Sequence, residues 1–202
     1  MDLDDLTLLD RWSAGDTAAG NALFRRHFEL VYRFFEHKAD GEIDDLVQET
    51  FLACMKSREA FRRQSTFRTY LLAIARHVLF AYWRRKAVGR AAIDFDDVSV
   101  ASLSTSAGTR MARHQESAAL LAALRALPVD QQILLEMFYW EGLERSALAE
   151  IFDVAEATIG SRLFRARQSL QATLEGAAVP DVSDADGFDR WARRLRPDAA
   201  GT

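Results

Sequence analysis

Between Ala91 and Gly108 the helical periodicity of the chain stops, and this interruption constrains its architecture more than any other feature. The segment AAIDFDDVSVASLSTSAG is rich in small and polar residues, which is the composition of a flexible connection. On either side, apolar residues recur at helical spacing, Pro and Gly are scarce within the periodic runs, and no alternating strand pattern stands out. The expectation is an all-α chain of two small helical domains. These occupy residues 1–90 and 115–175, with a linker at 91–114 and a tail at 176–202. The 202 residues, 49% hydrophobic and 28% charged, suffice for two modest cores of about 60–80 residues each.

Several classes of function are disfavoured. No apolar run approaches the roughly 20 residues that span a bilayer, so no membrane insertion is expected. The N-terminal MDLDDLTLLD is acidic, unlike a secretory signal. A single cysteine, Cys54, excludes an internal disulfide framework and a cysteine-rich zinc site. The expected compartment is therefore cytoplasmic. His27, His37, His77 and His114 show no metal-ligand spacing, no glycine-rich phosphate loop is present, and no nucleophile is paired with a base. The reading is of a non-enzyme with no metal and no cofactor.

The net charge of −4 hides a strong asymmetry. From Arg62 to Arg90 there are eight Lys/Arg and no acid, whereas from Glu29 to Glu59 eight acids face four bases. An acidic helical segment followed by a basic one suggests two different partners. In Glu42–Lys56, Ile43, Leu46, Val47, Phe51 and Cys54 fall on one side of a helix. Asp45, Gln48, Glu49, Leu52 and Lys56 fall on the other. Cys54 then reads as a small core residue, and the acidic face with its one leucine suits docking onto a basic protein surface. In Phe67–Lys86, the expected buried stripe is Phe67, Tyr70, Leu71, Ile74, Val78 and Tyr82. Leu72, Arg76, Phe80 and Trp83 lie opposite, with Arg84 at the flank. Arginines beside exposed rings are the chemistry of single-stranded nucleic acid: cations neutralise phosphates while rings stack on unpaired bases.

These two segments resemble region 2 of the extracytoplasmic-function (ECF) sigma factors of the sigma-70 family. The resemblance rests on DLVQETFL (Asp45–Leu52), Phe61, Arg62, Ser65, Phe67–Leu71, Ile74–Arg76 and Trp83–Arg85. It implies that Asp45, Gln48, Glu49 and Leu52 dock on the clamp helices of the largest subunit of RNA polymerase. It further implies that the loop Phe61–Thr66 captures a flipped base of the promoter minus-10 element. Phe61, Arg62, Ser65, Thr66, Arg68, Arg76, Phe80, Trp83 and Arg84 are the residues expected to hold the melted strand.

In the second block, helices are expected at Ala118–Leu127, ended by Pro128, then at Val129–Trp140, Glu144–Phe152 and Glu156–Leu174. The last two, separated by Asp153–Ala155, make a helix-turn-helix candidate. In the last helix Ile159, Leu163, Ala166 and Leu170 face inward. Ala157, Thr158, Ser161, Phe164, Arg165 and Gln168 face outward, with Arg162 at the edge. Small side chains permit close approach to a major groove, and arginine reaches guanine edges or phosphates. The run LPxxQxxLL, EGL and AxxFDVAxxTIxSRLFRAR is similar to sigma region 4, which reads the minus-35 element. The resemblance carries over Thr158, Ser161, Arg162, Arg165 and Arg167, and implies the polymerase flap as a further contact. Three positions depart from the family pattern. Gly160 stands where lysine is usual, Asp153 where glycine is usual, and Glu144 where a serine cap is usual. Asp tolerates the left-handed turn better than most residues. Gly160 removes a phosphate contact and weakens the helix by about 1 kcal/mol against alanine.

The tail carries Asp181, Asp184, Asp186 and Asp189, with Phe188, Trp191 and Leu195 at helical spacing. A short amphipathic helix of this kind can dock on either domain or on another protein, and can restrain DNA or polymerase binding. The resemblance also admits an anti-sigma factor or a kinase as regulator; a phosphate on Ser65 or Thr66 would sit beside Arg62 and Arg63. A stand-alone helix-turn-helix regulator is the competing class. Co-purification with core polymerase separates it from the sigma reading.

Overall fold

The computed structural model describes residues 3–57, 61, 65–87, 93–104, 115–174 and 192. Among them the regular structure is helical, apart from one isolated antiparallel bridge between Ser99 and Pro128. No helix in this set is long and apolar enough to cross a membrane. The chain divides into two compact units, residues 1–86 and residues 87–202, with 150–152 grouped with the first.

The first unit contains α1 (Asp5–Ser13), α2 (Thr17–Glu36), α3 (Ile43–Ser57) and α4 (Phe67–Lys86). Asp4 caps α1 by accepting from the Thr7 amide at 2.9 Å. Asp16 caps α2 through the Ala18 and Ala19 amides and also takes the Arg11 guanidinium at 2.6 Å. These donors hold the Asp16 carboxyl below its ordinary pKa. The Trp12 indole lies directly on the backbone of α2: a Cβ at Gly20 would stand 2.6 Å from Trp12 Cδ1. Only glycine admits that approach.

α3 follows its expected pattern. Leu46, Val47 and Cys54 are buried, and Asp45, Gln48, Leu52 and Lys56 are exposed. Burial pushes the Cys54 thiol up to about 12, so it stays protonated and serves as a core residue.

α4 corrects the sequence reading. Leu72, Phe80 and Trp83, expected on an open face, are 0%, 7% and 1% exposed. The cause lies in the composition of the helix. Buried residues, from Phe67 through Leu71, Leu72, Ala75, Val78, Leu79, Phe80, Tyr82 and Trp83, cover well over half of the circumference of α4 and leave a narrow open side with His77 and Arg84; a helix buried over so wide an arc is a central one. Trp83 is anchored as a core residue, its indole Nε1 donating 2.9 Å to the Lys38 carbonyl. The Phe80 ring is covered by cations of its own helix, with the Arg76 guanidinium 4.4 Å and the Arg84 guanidinium 6.0 Å from its centre.

The second unit holds α5 (Val100–Leu103), α6 (Gln115–Ala126), α7 (Val129–Tyr139), α8 (Arg145–Phe152) and α9 (Glu156–Leu174). α7 is its central helix, buried from Val129 to Met137 except for Gln131. Residues 93–104 also differ from the expected flexible linker. Phe95, Val100 and Leu103 are buried, and Ser99 caps α5. Pro128, at the start of α7, offers no side-chain cap. The Val129 and Asp130 amides instead donate to the carbonyls of Val98 (2.9 Å) and Phe95 (3.2 Å). The small polar composition of this stretch thus conceals three core anchors and a backbone cap for the next helix.

Candidate protein and nucleic-acid interfaces

On α3 the outward face comprises Asp45 and Gln48, both exposed, Glu49, half-buried, and Leu52, 46% exposed. Met55, one turn beyond Leu52, is exposed as well. The sequence reading ran this face from Asp45 to Lys56 but passed over Met55, which the i, i+3 spacing from Leu52 places on the same strip. Glu49 is engaged within the unit: Arg85 of α4 grips it with both nitrogens, at 3.0 and 3.2 Å. At this exposure such a pair contributes less than about 1 kcal/mol, so it orients the Glu49 carboxylate without removing it from the surface. Lys86 lies 3.8 Å from Glu42 and over the Tyr82 ring.

The loop before α4 is only partly described, and Arg62 and Arg63 lie outside the described residues. Phe61 is half-buried, its ring centred 4.7 Å from that of Tyr70. The Thr66 hydroxyl accepts the Thr69 amide at 3.1 Å and meets the Thr69 hydroxyl at 2.9 Å. Thr66 is therefore the N-cap of α4, a role that a hydroxyl residue immediately before an apolar run advertises. Ser65, Arg68 and Arg76 are half-buried, and Arg84 is exposed.

In the second unit, α8 and α9 are joined by a turn in which Asp153 adopts φ +52°, the left-handed position the sequence suggested. Ile159, Leu163, Ala166 and Leu170 are buried. Ala157, Ser161, Phe164, Arg165 and Gln168 are exposed, with Thr158 and Arg162 half-buried at the edge. The Ser161 hydroxyl donates 2.9 Å to the Thr158 carbonyl. Arg167 departs from the expectation. Its Nε donates to the Tyr139 hydroxyl, and its guanidinium lies 5.4 and 5.5 Å from the Phe138 and Tyr139 ring centres. Stacked on the α7 rings and hydrogen-bonded to Tyr139, it ties α9 to the core. Phe164, 59% exposed, is the converse: a large ring in the middle of the polar face, seen in the sequence as outward but not assigned a role.

Gly160 has room for a side chain. The nearest atom to a Cβ built there is Arg145 Nη1, at 3.9 Å. Gly160→Ala should stabilise the second unit by about 1 kcal/mol, read as a higher melting temperature for that unit. A lower melting temperature would mean that α9 needs glycine there.

Comparison with known proteins places both units in known family regions. The family described as Sigma-70 region 2 matches residues 23–88, and Sigma-70, region 4 matches residues 117–170. The ECF RNA polymerase sigma-E factor of Escherichia coli (strain K12) is 27% identical over 177 residues, which cover 83% of this chain and 93% of that protein. The Haemophilus influenzae protein of the same description is 28% identical over 184 residues, covering 86% and 96%. Two solved structures share the fold. The sigma factor RpoE in complex with the anti-sigma factor NepR from Bartonella quintana has TM-score 0.54 and 20% identity, covering 74% of this chain and 92% of that one. CnrH in complex with the cytosolic domain of CnrY has TM-score 0.60 and 20% identity, covering 86% and 99%. With both sigma-70 regions present in order, each containing the helix faces described above, the chain belongs to the sigma-70 family, as an RNA polymerase sigma factor of the ECF type.

Proposed function

We propose that the two units divide the work of initiation, the first spanning about residues 1–90 and the second running from the folded stretch at 93–104 through α9, followed by the tail. α3 presents Asp45, Gln48, Glu49 and Leu52 to core RNA polymerase, on the clamp helices of its largest subunit. α9 presents Thr158, Ser161, Arg162 and Arg165 to the upstream promoter element, and Phe164 supplies an apolar contact suited to a thymine methyl. Strand capture falls to Phe61, Arg62, Ser65, Thr66, Arg68, Arg76 and Arg84, without the buried Phe80 and Trp83. The chain performs no chemistry of its own: polymerase supplies catalysis, and this protein supplies promoter choice. Its place of action is then the cytoplasm. An anti-sigma factor is a further proposed partner, since the Bartonella quintana relative is bound by one.

The observation that carries the reading is the exposed face of α9, where Ser161, Phe164 and Arg165 stand together just beyond a left-handed helix-turn-helix turn. Runoff transcription with core polymerase over a promoter library tests it. Arg165→Ala should lose about 1–3 kcal/mol of discrimination at one upstream base pair, roughly five- to 150-fold in template preference. Salt dependence should weaken by about one phosphate contact only if the arginine also neutralises backbone charge. Unchanged template preference in Arg165→Ala and Ser161→Ala together would remove α9 as the reading helix.

A further inference from the structure

The second unit has an apolar groove between α6, α7 and α9, lined by Leu120, Leu124, Leu135, Tyr139, Trp140 and Leu170. The groove is occupied. Ala192, from the tail beyond α9, lies in it at 3% exposure, and its carbonyl accepts the Trp140 indole Nε1 at 3.0 Å. A methyl side chain is what so close an approach allows. Glu136 lines the same groove, 7% exposed, and its carboxylate takes the Gln132 amide at 2.7 Å. In the sequence Ala192 stands between Trp191 and the pair Arg193–Arg194. Residues 175–191 separate Leu174 from Ala192, a length that spans tens of ångströms when extended, so reach does not limit docking.

We propose that the C-terminal segment carrying Ala192 is the resident ligand of this groove, bound in cis, and that it controls access of other helices to the α6–α7–α9 face. Tethering supplies an effective concentration in the millimolar range. A contact too weak to persist between separate molecules is thereby held closed within one. A partner that lays an apolar helix on this face must first displace the tail.

The test uses the full-length chain and hydrogen exchange at the Trp140 indole N–H, followed by NMR in the wild type and in Ala192→Arg. The arginine side chain does not fit the buried position, and the altered residue lies in the tail beyond α9, outside helices α1–α9; far-UV circular dichroism of the variant checks that both units remain folded. The indole should exchange about tenfold faster or more in Ala192→Arg. A synthetic peptide of residues 186–199 should restore protection to that variant while shifting nothing in the wild type, whose groove is filled. Equal exchange in the two chains would overturn the proposal. So would protection that appears only at concentrations where sedimentation shows a dimer, which would assign the groove to the tail of a second copy.

Discussion

Trp83→Ala should destabilise the first unit by about 3–5 kcal/mol, as expected for truncating a fully buried indole. The side chain is 1% exposed, its ring centre lies 5.0 Å from that of Tyr82, and its N–H is held by the Lys38 carbonyl. Truncation opens a cavity in α4 and leaves that carbonyl without the indole donor, which adds to the cost. Trp83→Phe retains most of the volume and loses the hydrogen bond, so it should cost only about 1–2 kcal/mol. Denaturant unfolding of the two variants checks the ordering. The alternative, in which the indole stacks on an unpaired base, makes the opposite forecast: full stability in both variants, with loss confined to binding of single-stranded promoter DNA.

Leu52→Asp should leave stability unchanged and weaken core-polymerase binding by about 2 kcal/mol or more, about thirtyfold in affinity. Leu52 is 46% exposed in the structure, so the substitution removes little core contact. An aspartate there would have to be desolvated beneath the partner without a counter-charge built to receive it. Leu6, 44% exposed on α1, provides the control: Leu6→Asp should bind polymerase as the wild type does. If both substitutions weaken binding equally, the loss comes from added negative charge and not from the α3 face.

What could be read from the sequence depended on contrast between helix faces. In α9, Ile159, Leu163, Ala166 and Leu170 alternate with Ser161, Arg165 and Gln168, and 3.6-residue spacing alone assigns the buried and open sides. α3 was legible for the same reason. α4 was not, because its apolar residues spread over well more than half of the helix and its arginines are scattered among them, so angular position gives little contrast between the faces. Arg167 misled through chemistry: a long stem and a planar cation can turn inward onto aromatic rings as readily as outward to phosphate. The stretch 93–104 misled through composition, since Phe95, Val100 and Leu103 are too widely spaced to make a periodic pattern, and the caps it supplies to α7 are backbone carbonyls. Its folded part therefore belongs with the second unit. The left-handed turn at Asp153 and the burial of Cys54 needed only local rules and were correctly foreseen.

The central claim is that protein grip and promoter reading reside on separate helices, α3 and α9. Its most direct test is the affinity of purified core RNA polymerase for the wild type, Leu52→Asp and Arg165→Ala, in the absence of DNA. The account predicts about a thirtyfold loss for Leu52→Asp and wild-type affinity for Arg165→Ala. Wild-type affinity for Leu52→Asp, or an equal loss in both, would contradict it.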